Sequence, residues 1–77
     1  MQVVLKSDLF GDRTVNVNAP TKMNSSATTT EGNSVVVMSR NPNGFVVEMK
    51  RRSGSTKEIF KKRPEALKRA ANFLYPV

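Results

Sequence analysis

Ser34-Val35-Val36-Val37-Met38-Ser39-Arg40-Asn41-Pro42-Asn43-Gly44-Phe45-Val46-Val47-Glu48-Met49-Lys50-Arg51-Arg52 carries the strongest local signal in the chain. Two runs rich in β-branched residues flank Asn41-Pro42-Asn43-Gly44. Pro42 presets φ for the first central turn position, Asn43 suits the second, and Gly44 tolerates a positive φ after it. The stretch therefore reads as an antiparallel hairpin closed by a type I turn with a glycine bulge. In its second strand Phe45, Val47 and Met49 share one face, and Val46, Glu48, Lys50 and Arg52 share the other. The apolar set is expected to face the core. The charged set, joined by Arg40 from the first strand, is expected to face water or a ligand.

Toward the C-terminus, Ser53-Gly54-Ser55 reads as a second tight turn and residues 56–61 as a third strand. Ile59 and Phe60 are adjacent there, so they point to opposite sides and the register stays open. Arg63-Pro64-Glu65 then opens a helix, with Pro favoured at the first helical position and Glu complementing the dipole of the first turn. Leu67, Ala70, Ala71 and Leu74 recur at helical spacing as one apolar stripe, flanked by Phe73 and Tyr75, and Pro76 ends the helix.

Toward the N-terminus, Val3 and Leu5 alternate with Val4 and Lys6, and Val15 and Val17 with Asn16 and Asn18, so both runs read as strands of a further hairpin. Its connection carries Leu9 and Phe10, which are expected to fold over the edge of a thin core, and Asp8 and Asp12, which read as turn caps rather than a cation site. Residues 20–33 are rich in Ser, Thr and Asn with little hydrophobic pattern, and are expected to form a mobile polar loop. The β-branched Thr28, Thr29 and Thr30 offer a strand as the lesser alternative. The expected whole is a single small α+β domain over residues 1–77. Its element order is β-β, loop, β-β-β, α, with one antiparallel sheet and the helix across one face.

The chain has 77 residues, too few for more than one small core, and a chain of this size buries only roughly 60% of its unfolded surface. It contains no cysteine and no histidine, so disulfides, thiolate metal sites and the commonest general acid–base residue are absent. No phosphate-binding glycine loop, nucleophile motif or ligand-spaced cluster occurs, and the six carboxylates are scattered. The expectation is a protein that is not an enzyme and holds no metal or cofactor. The opening Met1-Gln2-Val3-Val4-Leu5-Lys6 lacks the features of a signal peptide, and no apolar run approaches the ~18 residues of a membrane span. A cytoplasmic protein is expected.

Charge is placed unevenly. Residues 50–69 hold nine Lys or Arg against Glu58 and Glu65, a net of +7. Residues 1–49 are balanced, with four cations against four carboxylates, and residues 70–77 carry no charged side chain. The formal +7 of the whole chain therefore sits in one block, which speaks of partners rather than of fold. The partner class it implies is nucleic acid, duplex DNA ahead of RNA because few aromatic residues are expected to be exposed for stacking. The residues expected to carry binding are Arg40, Lys50, Arg51, Arg52, Lys57, Lys61, Lys62 and Arg63. Arginine suits guanine edges, and lysine suits phosphates. The alternative is a protein-interaction module, an inhibitor or adaptor docking an acidic surface of a larger protein. Exposed strand edges also allow two sheets to pair into a dimer.

The order strand, strand, strand, helix, with Phe60 just before the helix and Glu65-Ala66 opening it, resembles the small sheet-plus-helix DNA-binding modules of phage and transposon integrases. The likeness is one of pattern and covers about half the chain. It implies the same sheet-and-helix layering and a DNA partner.

Overall fold

The computed structural model describes residues 2–6 and 11–76. Six strands and one helix follow the chain: β1 (Gln2–Leu5), β2 (Arg13–Asn16), β3 (Ser26–Glu31), β4 (Ser34–Asn41), β5 (Gly44–Arg51), β6 (Gly54–Phe60) and α1 (Arg63–Leu74). The fold is α+β, as expected, but the strands form two antiparallel sheets rather than one. β1 and β2 pair alone, and β3, β4, β5 and β6 form a four-stranded meander in sequence order. Leu9, Phe10 and Asp8, read as parts of the first connection, lie outside the described residues.

The helix packs against β4, β5, β6 and β1. Its buried stripe is Ala66, Leu67, Ala70, Ala71 and Leu74, the stripe that helical spacing predicts. Three of these are alanines with no exposed surface, so the helix backbone lies close to the sheet and the two leucines supply most of the apolar bulk. Opposite them stand Val36 and Met38 of β4 and Phe45, Val47 and Met49 of β5. Leu5, Val15 and Val17 from the first hairpin close the same core. No polar or charged side chain is buried among the described residues.

The central hairpin forms where its turn residues place it. Asn41 pairs with Gly44 around Pro42-Asn43, and the Asn41 Oδ1 accepts the Asn43 N–H at 2.9 Å, which fixes the turn. Gly44 has φ +130°, and a Cβ there would run into the Phe60 carbonyl of the neighbouring strand. Glycine at this position is therefore required twice, for its dihedral and for its lack of bulk. In β6 the open question of register resolves with Phe60 opposite Phe45 on the helix side, while Ile59 stands on the other side, 65% exposed.

The expected polar loop over residues 20–33 is corrected for its second half. Ser26–Glu31 is a strand, paired along its whole length with β4 from Ser26↔Ser39 to Glu31↔Ser34. Two physical facts outweigh the missing hydrophobic pattern. Three successive threonines suit a pleated backbone, and Gly32, at φ +59°, opens a two-residue turn with Asn33 that matches strand twist. Asn18 fastens the strand from the first hairpin. Its backbone N–H donates to Thr29 Oγ1 at 2.8 Å, and its Nδ2 donates to the Thr28 carbonyl at 2.8 Å. Residues 20–25 remain irregular, yet they too are tied to β4. The Asn24 N–H donates to the Arg40 carbonyl at 2.8 Å, and the Arg40 N–H donates to the Ser25 carbonyl at 2.9 Å.

Candidate nucleic-acid interface

The helix and the first hairpin cover one face of the four-stranded sheet, and the other face is open. Strand registers order it in three rows: Ser26, Ser39, Val46 and Ile59; then Thr28, Val37, Glu48 and Lys57; then Thr30, Val35, Lys50 and Ser55. Hydroxyls line the β3 side, valines run through the middle, and charges gather toward β6. Of the expected outward set, Val46, Glu48 and Lys50 lie on this face as strand alternation requires, whereas Arg52 falls in the turn after β5.

Glu48 sits amid the cations. The Lys50 Nζ lies 2.8 Å from its Oε1 and the Lys57 Nζ 3.7 Å from its Oε2. The Lys50 hydrogen bond, followed by the positive charges of Lys50 and Lys57, holds the Glu48 carboxyl below its ordinary pKa. The open face thus carries two lysines against one ionised carboxylate, far less than the block of charge in the sequence suggests.

The remaining cations separate into those already engaged and those left over. Arg40 does not join the charged face. It pairs across the ladder with Phe45 and so shares the helix side with Val36 and Met38. Its guanidinium lies 5.8 Å from the Phe45 ring centroid, and its Nη1 donates to the Thr21 carbonyl at 3.2 Å. The hairpin register itself dictates this, because closing on Asn41 and Gly44 sets Arg40 opposite a residue of the apolar face. Arg51 is likewise occupied, stacked over Phe73 at 4.2 Å and donating to its carbonyl at 2.9 Å. Arg69 pairs with Glu58 at 2.7 Å. Arg63 is half-buried at the start of α1, where its Nε is sealed from solvent without a hydrogen-bond partner among the described residues.

Arg52, Lys61 and Lys62 are exposed, and no ion pair engages them among the described residues. Arg52 belongs to the turn after β5, and Lys61 and Lys62 follow β6 at its far end. The seven residues of β6, at ~3.3 Å each, hold these two positions about 20 Å apart. The sequence-predicted site is therefore not one cluster. Lys50 and Lys57 sit on the open face, Arg52 borders one end, Lys61 and Lys62 border the other, Arg40 and Arg51 are engaged elsewhere, and Arg63 is half-buried at the start of α1.

The hydroxyl row Ser26, Thr28 and Thr30 is the part of the open face that the sequence reading placed in a loop. The signal for it was present in Gly32-Asn33, a two-residue hairpin turn between two β-branched runs. No helix among the described residues is long and apolar enough to cross a membrane. None of the known protein families, curated proteins or solved structures compared with the chain matches it.

Proposed function

We propose that this chain is a small nucleic-acid-binding module, a non-enzymatic DNA-binding regulator or accessory factor of the cytoplasm, which lays the open face of its four-stranded sheet on duplex DNA. The observation that carries this reading is the distribution of unpaired charge. Three of the exposed cations that have no carboxylate partner among the described residues stand at the two ends of the one uncovered face, Arg52 at one end and Lys61 and Lys62 at the other. A span of about 20 Å between them brackets a major groove ~12 Å wide, so that each end meets the phosphates of one groove wall. Lys50 and Lys57 then lie over the groove, and the hydroxyls of Ser26, Thr28 and Thr30 offer donors and acceptors to base edges or phosphates. The three rows of the open face hold no aromatic side chain, which favours a duplex over a stacked single strand.

One observation favours a second reading. Val35, Val37, Val46 and the exposed Ile59 form an apolar band across the same face, suited to docking on a protein whose rim is acidic. Fluorescence anisotropy with duplex DNA, single-stranded DNA, RNA and heparin at several salt concentrations separates the two. Duplex binding with a steep salt dependence supports the first reading. Indifference to all four polyanions moves the assignment to a protein partner.

A further inference from the structure

β1 pairs with β2 alone among the described residues. β1 also packs against α1, and two adjoining cavities open between residues of the two elements. One, of about 350 Å³, is lined by Gln2, Val3, Val4, Arg63, Pro64, Leu67 and Lys68. The other, of about 330 Å³, is lined by Val4, Leu5, Lys6, Lys68 and Asn72. Val4 and Lys68 belong to both, so the two form a single trough. The linings advance together, from Gln2 beside Arg63 to Lys6 beside Asn72. The trough follows α1 for about 14 Å at 1.5 Å per residue, the length of about four extended residues. β1 itself has four.

The chemistry of the trough is one-sided. Arg63, Lys68 and Lys6 are spaced along it, and no carboxylate lines it among the described residues. Its floor is apolar, with Pro64 and Leu67 from the helix facing Val3 and Val4, the last 52% exposed. Arg63 also holds a sealed Nε–H without an acceptor, a cost that an incoming oxygen relieves when it draws the guanidinium outward. The edge of β1 away from β2 has no ladder partner among the described residues, and such an edge offers backbone donors and acceptors. A bare phosphate uses the cations but neither the edge nor the floor, and a duplex is far too wide to enter.

We propose that this trough takes an extended acidic peptide of about four residues, added as a strand to the free edge of β1. Backbone hydrogen bonds to β1 give the affinity, and acidic side chains at alternate positions meet Arg63, Lys68 and Lys6. The site lies apart from the open sheet face, so it stands or falls independently of DNA binding.

The test is an amide-resolved NMR titration of the protein with the N-acetylated, C-amidated peptide Glu-Val-Glu-Val-Glu. Its controls are Lys-Val-Lys-Val-Lys and inorganic phosphate. The acidic peptide is expected to shift residues 2–6 and 63–72 and to slow amide exchange along β1. Lys6→Gln with Lys68→Gln is expected to weaken it roughly tenfold, the order of two exposed ion pairs, with duplex DNA binding altered no more than by Lys22→Gln with Arg13→Gln. Retained shifts of Val36 and Val47 certify the fold of each variant. The proposal is overturned if inorganic phosphate alone reproduces the shifts and the slowed exchange, if the lysine peptide binds as well, if the shifts fall on residues 46–59, or if the acidic peptide causes none.

Discussion

The Arg51 guanidinium lies over the Phe73 ring, 4.2 Å from its centroid, and donates from Nη2 to the Phe73 carbonyl at 2.9 Å. Phe73 is in the last turn of α1, where carbonyls lack intrahelical partners and no basic residue of the helix itself stands. A cation delivered by β5 therefore supplies both the missing donor and the charge that the helix dipole favours.

Arg51→Ala should accordingly lower stability by about 1–2 kcal/mol, combining a charged hydrogen bond with a cation–π contact. Arg51→Lys should recover only part of this, because an ammonium lacks the planar fork. Urea denaturation measures both. Arg52→Ala, one residue on and fully in the turn, should leave stability within about 0.5 kcal/mol of the parent. Equal losses at the two positions would remove the distinction between an engaged and an available arginine.

Gly44→Ala should destabilise far more than Gly32→Ala. Both glycines have positive φ, but only at Gly44 does a Cβ meet backbone, the Phe60 carbonyl. The expected costs are about 1 kcal/mol at Gly32, from the dihedral alone, and more than about 2 kcal/mol at Gly44, where β5 and β6 must also part. Thermal melts of the two variants give the comparison.

Leu67→Ala should cost about 2–5 kcal/mol, since Leu67 is only 6% exposed and is one of two leucines by which the helix engages the sheet. For a core this small, that loss approaches the whole stability. An unchanged melting temperature would mean that α1 does not hold the sheet.

Much of this arrangement is legible in the sequence. Asn41-Pro42-Asn43-Gly44 marks the central hairpin, and Leu67, Ala70, Ala71 and Leu74 mark the buried stripe of α1. Both depend on local rules, turn chemistry in one case and helical period in the other. β3 is harder to read because an edge strand of hydroxyl side chains has no apolar alternation. Its one local signal is the Gly32-Asn33 turn that sets its ladder with β4; the bonds from the distant Asn18 leave none. The faces of β4 are ambiguous for the opposite reason. Val35 and Val37 are as apolar as Val36 and Met38, so composition alone does not tell which pair is inward. Counting the register back from Asn41 and Gly44 does, and it carries Arg40 to the helix side. The candidate site shows the limit most clearly. A count of charge over residues 50–69 gives +7 with Glu58 already subtracted, but it leaves out Glu48 and the Phe73 carbonyl and says nothing of which cation each group engages; in the fold Glu48, Glu58 and that carbonyl occupy four of the nine cations.

Glu48 is the charge most directly opposed to a polyanion on the open face. Glu48→Gln frees Lys50 and Lys57 while keeping the shape of the side chain. It should tighten duplex DNA binding and steepen its salt dependence by about one to two phosphate contacts. Because Lys50 and Lys57 keep Glu48 ionised below its ordinary range, the parent should behave like Glu48→Gln only when the pH falls through that depressed value. Weaker binding by Glu48→Gln would mean that the open face does not meet phosphates.

The most direct measurement is the salt dependence of duplex DNA affinity for two charge-matched pairs of substitutions. Arg52 and Lys62 border the open face, and Lys6 and Lys22 do not. The account predicts a slope of about 3–4 for the parent protein, from Arg52, Lys61 and Lys62 with a share from Lys50 and Lys57. Arg52→Glu with Lys62→Glu should abolish binding at ~50 mM salt with the fold intact, whereas Lys6→Glu with Lys22→Glu should weaken it only modestly through net charge. Equal losses from the two pairs, or no binding by the parent at that salt, would contradict the account.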